Sequence, residues 1–196
     1  FQVSGFFATP SFFNLFDFKL KSNLASNTLD EPNSIVLTEE VANKFFSDND
    51  PVGKVIIFER YGNLKVTGVI PTMEQKSHIQ FEALISAATL PVLEKENKIG
   101  DITDNWEEFG SSFVYVLLNE NARQSDLDSA LVKTGKLKYP ENGKVNISFY
   151  STPISRIVPG PLLANENGMF LPKAFVIFFA GLAIVIMLSA AFNYTS

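Results

Sequence analysis

Two hydrophobic regimes divide the chain. Up to about residue 150, apolar residues come in short bursts separated by polar or turn-forming stretches. From Ala174 to Phe192 they run almost without interruption. In the first regime, residues 1–7 (FQVSGFF) alternate apolar with small or polar positions, as a half-buried strand does. Thr9-Pro10 has the form of a helix start, a hydroxyl N-cap with proline at the first helical position. Phe12, Phe13 and Phe16 would make its apolar face. Lys21–Asn33 reads as a polar loop. Ser34–Leu37 (SIVL) is a short strand of the buried type. Thr38-Glu39-Glu40 then opens a second helix with Val41, Ala42, Phe45 and Phe46 on one face.

Asp50-Pro51-Val52-Gly53-Lys54 lies in a turn set by proline and glycine. Val55–Phe58 and Leu64–Ile70 are expected as two strands of a hairpin. Phe81–Ser86 is a further strand, and 88–111 is irregular or weakly helical. Phe113–Leu118 (FVYVLL) has the strongest strand pattern in the chain. Ser125-Asp126-Leu127-Asp128 opens a helix with Leu127, Ala130 and Leu131 inside, and Val145–Tyr150 is a last strand. The fold class expected is α+β: short antiparallel strands with a few helices packed on them. Neither an internal repeat nor a low-complexity tract is present.

The second regime, AFVIFFAGLAIVIMLSAAF, is 19 residues long, and only Gly181 and Ser189 depart from apolar character. As a helix it is about 28 Å long, close to the roughly 30 Å hydrocarbon core of a bilayer. We expect a membrane span with ends at Ala174 and Phe192, and with Lys173 at its edge, where an ammonium can reach the headgroups. The region Ser151–Lys173 would connect it to the folded part. Pro153, Pro159, Pro161 and Pro172 stiffen this connector, while Gly160 and Gly168 are expected to loosen it. We expect the 196 residues to be a piece of a longer membrane protein.

Composition narrows the chemistry. The mean hydropathy of +0.12 is high, but the excess is local: outside the apolar run, apolar residues fall to about 41%, ordinary for a globular domain. The net charge of −5 argues against nucleic acid as a partner. There is no cysteine and only one histidine, His78. Thiolate catalysis, Fe–S clusters and multi-imidazole metal sites are therefore excluded within these residues.

The remaining candidates have plainer readings. Gly53-Lys54 lacks a phosphate loop's other residues, since position 48 is Asp and position 55 is Val. Glu39 and Glu40 project about 100° apart on a helix and suit its positive end. His78 has no nucleophile or orienting partner in view, and reads as a surface or hydrogen-bonded residue. Trp106 is expected in the core. The dense set Phe6, Phe7, Phe12, Phe13, Phe16 and Phe18 includes candidates for a partner or membrane contact. Asn146-Ile147-Ser148 and Asn193-Tyr194-Thr195 match a glycosylation tripeptide that is common by chance. No catalytic residue, cofactor or metal ligand is expected.

An ordered set of segments adds a family resemblance. The set comprises Val3-Ser4-Gly5-Phe6-Phe7-Ala8-Thr9-Pro10-Ser11-Phe12-Phe13, then Asn33–Phe46 (NSIVLTEEVANKFF), Asp50-Pro51-Val52-Gly53-Lys54 and Val66-Thr67-Gly68-Val69-Ile70. Ser155-Arg156-Ile157 and Ala191-Phe192-Asn193-Tyr194 extend it toward the C-terminus. Together they resemble the MacB-like and FtsX-like permeases of ABC transporters, in wording closest to the FtsX-related permeases of Bacteroidota. The Lys21–Pro32 loop and 88–111 depart from the pattern.

The resemblance implies a MacB-like periplasmic core domain, of one or two lobes, over residues 1–150. A connector over 151–173, the second span of a multi-pass inner-membrane permease over 174–192, and a cytoplasmic start at 193–196 would follow, with residues 1–173 in the periplasm. It implies a cytoplasmic ABC ATPase subunit as partner, a homodimer or paralogous heterodimer, a periplasmic partner protein and membrane lipid. The function implied is non-enzymatic: ATP hydrolysis below the membrane moves the periplasmic domain above it. A regulator of cell-wall hydrolases and a membrane-anchored binding or sensor domain are the alternatives.

Overall fold

The structure is a computed structural model that describes residues 2–23, 28–72, 79–107, 112–139, 147–161 and 171–195. Backbone packing divides the chain into two units, 1–76 with 80–117 and 77–79 with 118–196.

The first unit is built on a six-stranded mixed sheet. Its strands are β1 (Gly5–Ala8), β2 (Ser22–Asn23), β3 (Ser34–Thr38), β4 (Val55–Phe58), β5 (Gly62–Ile70) and β6 (Ala83–Ser86). The order is β1-β6-β3-β5-β2, with β4 beside the first half of β5. β1 runs parallel to β6 and β3 parallel to β5, while β6 is antiparallel to β3. The α+β class is thus observed, but the short strands are mixed rather than all antiparallel. Every residue of β6 and the first four of β3 are buried. That explains why each carries three consecutive apolar residues, Ile35–Leu37 and Ala83–Ile85, because both faces are covered. Ile35 and Leu37 of β3 join Ala83 and Ile85 of β6 in one core cluster. Val36 and Leu84, one position out of phase, face the other way by the pleat. Between Ile35 and Val36 the register skips Thr67, whose hydroxyl donates to the Ile35 carbonyl at 3.3 Å.

α1 (Ser11–Phe16) and α2 (Glu39–Phe46) form where the hydroxyl–proline and Thr-Glu-Glu signals fall. Two details differ from expectation. Pro10 occupies the N-cap of α1 rather than its first helical position, and neither helix has a side-chain cap bond. Val41 and Ala42 bury α2 against the sheet core. After β6 the chain makes a 3₁₀ turn, Ala87–Thr89, and a short helix α3, Leu90–Lys95. Leu93 is its buried residue.

Four expectations are corrected. The Lys21–Asn33 stretch is not all loop, because Ser22 and Asn23 pair with Val69 and Gly68. Phe113–Leu118 is not a strand. It forms no ladder among the described residues, and Val114 stands 84% exposed. β-propensity describes how a side chain suits a pleated surface, and a strand still needs a hydrogen-bonded neighbour. Trp106 lies at the surface, 43% exposed, not in the core. Of Val145–Tyr150, the described residues 147–150 are not in a strand either.

The second unit contains α4 (Gln124–Lys138), a 3₁₀ turn at Ile154–Arg156 and α5 (Lys173–Thr195). The cap of α4 is Arg123 rather than Ser125, and the Asp126 carboxylate accepts from the Arg123 N–H at 3.1 Å. Leu127 and Leu131 are half-buried as expected, but Ala130 is exposed, and the buried position one turn on is Gly135. Phe149 packs there: a side chain at Gly135 would meet its ring at 3.5 Å. Tyr139 also meets Phe149 at a tilt of 57°, with ring centroids 6.0 Å apart. α5 is one continuous helix, and within Lys173–Tyr194 its most apolar 18 residues have mean hydropathy 2.7 and no burial. Its length and composition suffice to cross a membrane.

Candidate functional site

The first unit carries three features worth weighing. Phe12, Phe16, Phe18 and Phe81 form an aromatic cluster. Phe12 stacks on Phe18 at 5.3 Å, and Phe16 meets Tyr115 edge-on at 5.0 Å. The phenylalanines singled out in the sequence are half-buried, so they act first as packing. A shallow groove lies between β1 and the β4–β5 hairpin, lined by Val3, Phe7, Ile35, Phe58, Tyr61 and Ile85. Phe7 meets Tyr61 edge-on across it at 5.4 Å.

The third feature is Glu39, at the first turn of α2. It pairs with Lys21 and accepts from the Thr72 N–H at 3.2 Å. The Lys21 hydrogen bond, then that of Thr72, holds its carboxyl below the usual range. Glu40 pairs with Lys44 one turn on at 2.7 Å, and Lys44 lowers its carboxyl likewise. The two carboxylates are thus separated, each with its own lysine, as their spacing required. Gly53 takes a left-handed φ of 86° in a turn closed by the Lys54 N–H on the Pro51 carbonyl, its own N–H donates to the Val66 carbonyl, and Lys54 lies over the Phe46 ring at 5.1 Å. His78 and Asn146 lie outside the described residues.

In the second unit, polar contacts concentrate along the connector. Ser151, its first residue, is fixed three times. Its N–H and hydroxyl both donate to Asp128 Oδ1, at 2.8 and 2.6 Å. Its carbonyl accepts from Gln124 Nε2 at 3.0 Å. Gln124 and Asp128 are one helical turn apart on α4, so a single face of the helix reaches both ends of the residue. The next fixed stretch is the 3₁₀ turn, closed by the Arg156 N–H on the Pro153 carbonyl at 2.8 Å.

Gly160 follows. Its N–H donates to the Leu171 carbonyl at 3.2 Å, and its carbonyl accepts from Lys173 N–H at 3.0 Å. That second bond satisfies one of the donors left open at the start of α5. Gly160 was expected to loosen the connector; it is instead a pinned residue. It also admits no side chain, since a Cβ would stand 2.2 Å from the Ile157 carbonyl oxygen. None of this was legible beforehand, because Asp128 and Ser151 are 23 residues apart with no pattern linking them.

The Ser151 hydroxyl, and then its N–H, lower the Asp128 carboxyl below the ordinary aspartate value of 3.8. A depressed carboxylate stabilises the fold fully above its unfolded value. That contribution is lost as pH falls from about 3.8 through the folded value. We expect the Ser151 amide proton shift to titrate with a midpoint below 3.8. Asp128→Asn should abolish that titration. A midpoint at the ordinary value would remove the Asp128–Ser151 contact.

The family described as MacB-like periplasmic core domain matches residues 1–134, and the chain belongs to it. It is a periplasmic domain of an ABC-transporter permease family, carrying one candidate membrane helix. Among solved structures it is similar to a domain assigned to a permease protein from Porphyromonas gingivalis. The identity is 18%, the TM-score 0.53, and the match covers 79% of this chain and 70% of that one. This likeness concerns the fold. It is also similar to the periplasmic region of MacB from Actinobacillus actinomycetemcomitans, at 20% identity and a TM-score of 0.44, covering 66% of this chain and 54% of that one. No curated protein matches.

Proposed function

We propose that the chain is part of a permease subunit that converts cytoplasmic ATP hydrolysis into movement of its periplasmic domain. Residues 1–150 are the periplasmic core, 151–173 the connector, and 174–192 the span, ending at Ala174 and Phe192. Residues 193–196 begin the cytoplasmic side of a multi-pass inner-membrane protein. The ATPase resides on a separate subunit or domain, the permease works as a dimer, and the core itself catalyses nothing.

The observation that carries this reading is the connector. A MacB-like domain is joined to a membrane-length helix by a segment hydrogen-bonded at both ends, to α4 at Ser151 and to the start of α5 through Gly160. A slack tether would serve an anchored binding or sensor domain equally well. A mechanical link has to resist displacement.

A six-residue Gly/Ser insertion immediately before Lys173 is expected to abolish the ATP-dependent movement while ATP hydrolysis and membrane level persist. If ATP-dependent movement survives the insertion unchanged, the mechanical reading is wrong.

A further inference from the structure

We propose that the connector transmits through only part of its length: Ser151 and Gly160 are its two fixed points, and force crosses from Gly160 to the start of α5 without running along the chain between them. The proposal rests on the mechanical reading above and adds the route. At both fixed points the backbone's polar groups are committed. The Ser151 N–H and carbonyl are taken by Asp128 and Gln124, and its hydroxyl is taken as well. The Gly160 N–H and carbonyl are taken by Leu171 and Lys173. The chain re-enters at Pro172, bridged to Gly160, and α5 starts one residue later.

The shortcut matters because of reach. An extended chain spans at most about 3.4 Å per residue, so the full path from Ser151 to Lys173 allows roughly 75 Å of slack. The path from Ser151 to Gly160 allows at most about 30 Å. The 3₁₀ turn at Ile154–Arg156 shortens it further, since its rise is only about 2 Å per residue. Pro153 and Pro159 remove further freedom inside this segment. A pull on α5 therefore reaches α4 through a short, partly stiffened segment and one pair of hydrogen bonds. The absence of room for a side chain at Gly160 fits this, because the backbone there is packed against its own preceding turn.

The test uses the full-length permease with its ATPase in lipid bilayers. The 196 residues contain no cysteine, so a donor dye on K133C, at an exposed position of α4, labels this region once. Energy transfer to headgroup-labelled acceptor lipids is compared between nucleotide-free and vanadate-trapped states. Six Gly/Ser residues inserted between Ala164 and Asn165 should leave the ATP-dependent change within twofold of the parent. The same insertion between Thr152 and Pro153 should reduce it at least fivefold, as should Gly160→Ala. Equal losses from both insertions would mean that force runs along the whole covalent chain, which overturns the bypass but not the mechanical reading.

A parent permease with no ATP-dependent change would sink the mechanical reading instead. The bypass then still stands or falls on hydrogen exchange in the same bilayers. The Gly160 and Lys173 amides should exchange at least a hundredfold slower than free peptide, with Gly160→Ala releasing both. Exchange of these amides at free-peptide rates overturns the proposal whatever the nucleotide does.

Discussion

Leu84→Ala is expected to destabilise the sheet-containing unit by about 3 kcal/mol, within the range for truncating a fully buried leucine. Leu84 has no solvent exposure and sits inside β6, in register with Phe6 of β1 on one side and Val36 of β3 on the other. A strand flanked on both edges and covered on both faces has little freedom to collapse into the space left. The lost transfer energy and the cavity therefore add. Ile57→Ala is the matched control. It removes the same three carbons from the β4–β5 hairpin, but Ile57 is 76% exposed, so its change should stay within about 0.5 kcal/mol. With a urea slope of about 2 kcal/mol per molar, the first variant moves the midpoint by roughly 1.5 M and the second by less than about 0.3 M. Pulse proteolysis across a urea series reads both. Comparable shifts for the two would contradict the burial pattern of the sheet.

The contrast between those positions also marks what the sequence could disclose. β3, β5, α2 and α5 were legible because each repeats one period over enough residues to exclude another. The buried run of SIVL, the 3.6-residue face of Val41, Ala42, Phe45 and Phe46, and the uncharged stretch from Ala174 are such cases. β2 was not legible, since two polar residues have no period, and Ser22-Asn23 becomes a strand only because the far half of β5 offers an edge. Phe113–Leu118 failed in the opposite sense: the pattern is strong, but a ladder partner is a tertiary fact. The connector contacts were hidden for a related reason. Asp128 reads locally as a first-turn carboxylate, and Gly160 between two prolines reads as a soft turn. Only the folded chain brings one to Ser151 and the other to Lys173. The family resemblance, by contrast, was carried by order along the chain and did not depend on any contact.

The second large effect concerns the span itself. Eleven Leu, Ile, Phe and Val residues between Ala174 and Phe192 each favour insertion by about 0.3 to 0.6 kcal/mol near the bilayer centre, a few kcal/mol together. One aspartate at the centre opposes insertion by about 3 kcal/mol. Ala183, midway between the proposed ends, is therefore the sensitive position. Ala183→Asp should change the insertion equilibrium about a hundredfold and bring it near balance. Adding Ile184→Asp roughly doubles the penalty and removes a favourable residue, so the pair should leave almost no inserted population. At the margins the expectation reverses. Ala174→Lys and Phe192→Lys should insert nearly as well as the parent, because a lysine stem can lie along the helix while its ammonium reaches the headgroups. Residues 173–195 placed in a host membrane protein between two glycosylation acceptor sites report all four variants as single- or double-glycan products. If the double aspartate variant inserts like the parent, this helix does not rest in hydrocarbon. If either lysine variant is excluded as strongly as the aspartates, the span's ends lie beyond Ala174 and Phe192.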